Sequence, residues 1–105
     1  MQIIFEDIEL KRLIEDGTSK KYKKLSKDSK FKSALIDVYN IMRVVDKAGD
    51  LSFYSYLHYE KLKHIALSSV RVISNRVERL LFRETEDGLV ITLIELNESH
   101  YGRKK

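Results

Sequence analysis

An α+β fold is predicted for this chain: an N-terminal strand, two helices, then a three-stranded antiparallel meander, together forming one small sheet. Three observations predict it. Phe31, Leu35, Val38, Met42 and Val45 recur at spacings of three and four, which sets them in one helical stripe. Three runs rich in β-branched residues follow in the last third, at 68–73, 77–84 and 89–96. The separators, Ser74-Asn75-Arg76 and a segment ending in Asp87-Gly88, are short and polar, as successive hairpins require. A chain of 105 residues has material for one core of modest size, so residues 1–105 are expected to form a single domain.

The elements follow in order. Residues 2–5 are a short apolar run suited to a strand. Asp7 can then cap a helix whose Leu10, Leu13 and Ile14 share a face, with Gly17 as its stop. The lysine-rich stretch after it is expected to be a polar connection. The second helix begins after Ser26 and is expected to continue to Gly49. Residues 50–66 lack a clean period and are expected to be a loop with one helical turn at most. There is no proline and no Gly- or Ser-rich linker.

Charge is segmented by sign. Residues 1–16 hold five acids and two bases, residues 20–32 hold seven lysines and one aspartate, and residues 84–98 hold five acids and no base. The net charge of +4 favours anionic partners, nucleic acid above all, though charge of this size also serves solubility alone. Without cysteine there are no disulfides and no thiolate metal sites. No apolar run approaches the roughly 18 residues of a membrane span, and the opening MQIIFEDIEL is acidic where a signal peptide is basic. A cytoplasmic protein without membrane association is expected. His58, His64 and His100 form no close i, i+4 pair with an acidic cluster, so no metal site and no cofactor is expected.

The strand period of two assigns faces to the meander. Arg79 and Arg83 share a side with Val77 and Leu81, opposite Glu78, Leu80, Phe82 and Glu84. Arg71 lies with Ser69 and Ile73, and a suitable register would bring it beside Arg79. In the last strand Leu89, Ile91, Leu93 and Glu95 are expected on one side, and Val90, Thr92, Ile94 and Leu96 on the other. Adjacent guanidinium groups repel unless an anion neutralises them, and their planar fork matches phosphate oxygens. Cross-strand pairing with Glu78, Glu84 or Glu95 is the competing explanation.

Beyond the last strand, Glu98-Ser99-His100-Tyr101 sets an imidazole near a carboxylate and a phenol, a candidate acid or base at neutral pH. Lys20, Lys21, Lys23 and Lys24 can contact phosphates without sequence preference, or form an ordinary solvated surface. Tyr54, Tyr56 and Tyr59 can stack on unpaired bases or cover the core.

The order of parts, with Lys61-Leu62-Lys63 before the meander, Ser69-Val70-Arg71-Val72, Glu78-Arg79-Leu80-Leu81-Phe82-Arg83 and Ile94-Glu95-Leu96-Asn97-Glu98-Ser99-His100, resembles the RelE/ParE superfamily of bacterial type II toxin–antitoxin systems, and most the HigB-like branch. Specific residues match from about Lys61 onward. Arg71, Arg79, Arg83 and His100 fall on family positions, and Glu98 stands where the family has aspartate. Ser99 replaces a tyrosine, with Tyr101 two positions on. Glu60 stands where the family has a histidine, with His58 two residues before it.

The resemblance implies a toxin held silent by a cognate antitoxin, acting as a ribosome-dependent messenger RNA endoribonuclease, a metal-independent hydrolase. It implies that Arg71, Arg79 and Arg83, helped by Lys61 and Lys63, orient the phosphate. It gives His100 the leading proton transfer, with Glu60 or Glu98 as counterpart and Tyr101 as a stacking surface or second donor. A ParE-like topoisomerase inhibitor and a noncatalytic RNA-binding protein are the alternatives.

Overall fold

The computed structural model describes residues 1–98, so the expected roles of His100 and Tyr101 lie outside the described residues. The chain runs β1 (Gln2–Phe5), α1 (Ile8–Asp16), α2 (Ser29–Val44), β2 (Glu60–Leu62), β3 (Leu67–Arg71), β4 (Arg79–Glu84) and β5 (Val90–Asn97), with 3-10 turns at Leu25–Lys27, Ala48–Phe53 and Ser55–Leu57.

Local chemistry sets the first helix as the sequence implies. The Glu9 and Leu10 amides donate to Asp7 Oδ1 at 3.0 and 3.3 Å, filling N-terminal donors that α1 cannot satisfy itself. At the other end Gly17 takes φ +74° and donates to the Arg12 and Leu13 carbonyls, a conformation that costs other residues more. Asp28 caps α2 through the Phe31 amide at 3.0 Å. This helix ends at Val44, five residues before the expected stop at Gly49, because Val45 turns extended at φ −69°, ψ 150°. The chain leaves the helix to meet the β4–β5 hairpin, where the buried Ala48 donates its N–H to the Gly88 carbonyl at 2.8 Å.

The α+β class agrees with the expectation, but the sheet has five strands and is mixed. Its order is β1-β5-β4-β3-β2, with β1 parallel to β5 and every other pair antiparallel. The extra strand, β2, comes from the segment expected to be a loop; its three residues pair with β3, Glu60 opposite Ser69. The β3–β4 connection is also longer than expected, since pairing ends at Arg71 opposite Arg79.

Both helices pack on one face of the sheet. Leu10, Leu13, Phe31, Leu35, Val38 and Met42 form one buried cluster with Val70, Leu80, Phe82, Ile91, Leu93 and Leu96. The simple alternation expected for β5 fails at a bulge. Leu81 pairs with Glu95 and Phe82 with Leu93, so Ile94 is an extra residue without its own place in the ladder. It shifts the phase by one, and Ile91, Leu93 and Leu96 all reach the core.

Candidate nucleic-acid interface

The sheet face turned away from the helices carries the arginines. Arg71 and Arg79 are direct cross-strand partners, and Asn97 of β5 continues that row beyond Arg79. The next row holds Glu60, Ser69, Leu81 and Glu95. The two arginines thus start opposite each other on neighbouring strands, but their guanidinium groups turn to different partners, Arg79 toward Ser69 and Glu60 and Arg71 toward the β3–β4 connection.

Their surroundings differ. Arg79 is mostly covered, 12% exposed, and its Nη1 donates to Ser69 Oγ at 3.2 Å and lies 3.8 Å from Glu60 Oε1. Arg71 Nη1 donates to the Ser74 and Arg76 carbonyls at 3.2 and 2.9 Å, so the β3–β4 connection curls around it. Carbonyl partners leave its charge uncompensated, and among the described residues no carboxylate pairs with it; its Nε is buried without a partner. His58 joins this corner: its Nε2 lies 3.0 Å from the Ser74 hydroxyl.

Arg83 is not brought to the same spot. Four residues along β4 separate it from Arg79, about 13 Å at strand rise. It is 56% exposed and reaches Glu6 at 3.5 Å. Arg83 therefore stands apart from the Arg71–Arg79 row. Glu78, Glu84 and Glu95 form no ion pair with these arginines: Glu78 pairs with Arg76 at 3.0 Å, and Glu84 stands 3.9 Å from Lys61. Glu98 is exposed and follows Asn97, the residue opposite Arg79.

Lys61 does not join the arginine face. It pairs with Ser68, whose side chain donates to Glu84 Oε2 at 2.7 Å, and both belong to the core-facing side of their strands. Lys63 is exposed in the turn between β2 and β3. Tyr59 donates to the same Glu84 oxygen at 2.7 Å and stacks on Phe82, so it covers the core; burial, then the Glu84 carboxylate, pushes its pKa up. Tyr54 is half-buried and Tyr56 is 53% exposed.

The lysine run lies beside α1, on the helix side. Sequence reasoning missed its centre: Tyr22, 2% exposed, donates to Asp7 Oδ2 at 2.6 Å and accepts the Leu96 amide at 3.0 Å. β1 stops pairing at Leu93, so the phenol serves a strand amide that β1 does not reach. Burial, then the hydrogen bond to Asp7, pushes the Tyr22 pKa to about 12. Lys21 pairs with Asp7 at 2.9 Å, which raises its own pKa to about 12, whereas Lys20, Lys23 and Lys24 are exposed. The available signal was an aromatic residue flanked on both sides by lysines, a pattern that marks an anchor as readily as a surface.

Among the described residues no cluster of three or more His, Asp or Glu side chains is arranged to hold a metal ion, and no helix is long and apolar enough to cross a membrane. No protein-family model and no curated protein matches this sequence.

Proposed function

We propose that this chain is the toxin of a type II toxin–antitoxin pair, similar to the HigB-like branch of the RelE/ParE superfamily, and a ribosome-dependent messenger RNA endoribonuclease. The observation that carries the reading is the cross-strand pair Arg71–Arg79, with Arg71 uncompensated by any carboxylate among the described residues. In the proposed reaction the RNA 2′-oxygen attacks the adjacent phosphorus while a base takes its proton. The 5′-oxygen leaves with a proton from an acid, giving a 2′,3′-cyclic phosphate. Arg71 and Arg79 stabilise the charge that builds on the phosphorane oxygens, and Arg83 holds a neighbouring phosphate. His100 supplies proton transfer by the resemblance, with Glu60, Glu98 and Tyr101 as its assigned helpers. A small sheet surface positions a flexible RNA poorly by itself, which gives the ribosome its role. An antitoxin partner and a cytoplasmic setting belong to the same proposal.

Induction of the wild type, Arg79→Ala and His100→Ala in a bacterial host, with mapping of transcript ends, tests it. Codon-phased cuts in the wild type, lost in both variants, are expected. Growth arrest without new ends would replace the nuclease by a ParE-like topoisomerase inhibitor. The exposure of Phe53 and Tyr56, 80% and 53%, favours a second reading, RNA binding without cleavage. That reading requires tight binding to free RNA and full function in His100→Ala.

A further inference from the structure

A second cationic feature lies on the helix side of the sheet, away from the arginine face. Arg12 of α1, Lys20 and Lys23 of the connection and Lys27 of the following 3-10 turn line one hollow of about 580 Å³, together with the hydroxyl residues Thr18, Ser19 and Ser26. No carboxylate lines it. The nearby Glu9 is already committed: its Oε1 accepts Ser19 Oγ at 3.0 Å and the Lys20 amide at 2.9 Å, and its Oε2 lies 3.7 Å from Arg12. One glutamate therefore offsets one arginine. The ammonium groups of Lys20, Lys23 and Lys27 have no carboxylate partner among the described residues.

These cations stand on a fixed scaffold. Ser19 Oγ accepts the Tyr22 amide at 3.0 Å, the buried Tyr22 is anchored to Asp7, and the Ser26 amide donates to the Tyr22 carbonyl at 2.9 Å. A lysine run that merely solvates a loop needs no such anchoring. The run is also divided in two: Lys21 is spent on Asp7, whereas Lys20 and Lys23 turn to the hollow with Arg12 and Lys27. Backbone held in place lowers the ordering cost of binding, and three uncompensated charges suit a ligand of two or more negative charges.

We infer that this hollow binds a phosphate-bearing anion with two adjacent phosphate groups, supplied either as a free diphosphate or as consecutive phosphates of an RNA backbone. The site is independent of the proposed nuclease, because it shares no residue with the arginine face.

Amide-resolved NMR titration of the full chain with inorganic pyrophosphate, and separately with an oligouridine lacking terminal phosphates, tests the inference. Shifts concentrated at residues 18–27 with pyrophosphate indicate the free diphosphate; the same concentration with the oligonucleotide alone indicates the backbone. In either case Lys23→Ala/Lys27→Ala should raise the dissociation constant about tenfold or more. Lys24→Ala/Lys30→Ala, which removes equal charge outside the hollow, should change it less than about twofold. Urea unfolding of both double variants establishes that they fold. Shifts spread evenly over exposed lysines, equal weakening in the two variants, or no response to either ligand would overturn the site. Any of these leaves the nuclease proposal standing, since that is read by transcript ends.

Discussion

Asp7 accepts hydrogen bonds from the Glu9 and Leu10 amides, the Tyr22 phenol and the Lys21 ammonium. Burial pushes its pKa up, but the Tyr22 and Lys21 bonds, with help from the Leu10 amide, outweigh that and hold it below the ordinary 3.8. A carboxyl depressed on folding takes up its proton more readily in the unfolded chain. Its stabilisation is therefore complete above the ordinary value and is lost as pH falls through the folded one. Asp28 and Asp87 are shifted in the same direction. Urea midpoints measured downward from about pH 6 should fall most steeply below about pH 4, and Tyr22→Phe should show a shallower fall because Asp7 loses one of its donors. Identical slopes would contradict this account. At neutral pH the same variant should cost about 1–3 kcal/mol, since the Leu96 amide loses its partner inside the fold. On the opposite face, the proposed nuclease requires that Arg79→Ala slow transcript cleavage by about a hundredfold, with Arg79→Lys between it and the wild type because an ammonium lacks the planar fork. Undiminished cleavage in Arg79→Ala would remove the arginine from the chemistry.

At the scale of elements, the caps were legible because capping is local: Asp7, Gly17 and the phase of both helices need only near neighbours in sequence. The end of α2 was not, because it depends on the Ala48 amide finding the Gly88 carbonyl forty residues away. Gly88 itself takes φ +75°, and a Cβ there would come within 3.4 Å of the Ala48 nitrogen. Gly88→Ala should therefore lower stability by about 1 kcal/mol or more in urea unfolding, and no loss would mean that the hairpin adapts freely. Arg76 joins elements that sequence keeps apart. It bridges Asp28, the cap of α2, and Glu78, each at 3.0 Å, with its guanidinium 5.4 Å from the Phe31 ring centre. Arg76→Ala should cost about 1–3 kcal/mol by thermal or urea unfolding. Arg76→Lys should restore only part of it, because one ammonium cannot span both acids as the fork does. Full restoration by lysine would show that charge alone matters.

For the whole molecule, one cluster carries the packing, and Phe82 of β4, 0% exposed, belongs to it. Phe82→Ala should cost about 3–5 kcal/mol, a large share of the roughly 5–15 kcal/mol that stabilises a domain, and should depress the melting temperature accordingly. A small change would mean that the cluster collapses around the gap. Of the candidate site, the shared face of Arg79 and Arg83 and the nearness of Arg71 were visible in a period of two. The separation of Arg83, the opposite side taken by Lys61 and the approach of His58 to the Arg71 corner were not. By itself the sequence determined the helix stripes, the caps of α1, the three meander strands and the sign of each charged segment, because those follow from spacing and from bonds between near neighbours. Only the tertiary structure decided the β2 pairing, the parallel place of β1, the Ile94 bulge and which cations stand together. Each of these depends on backbone groups distant in sequence finding partners while apolar side chains leave water, and no local pattern records that choice.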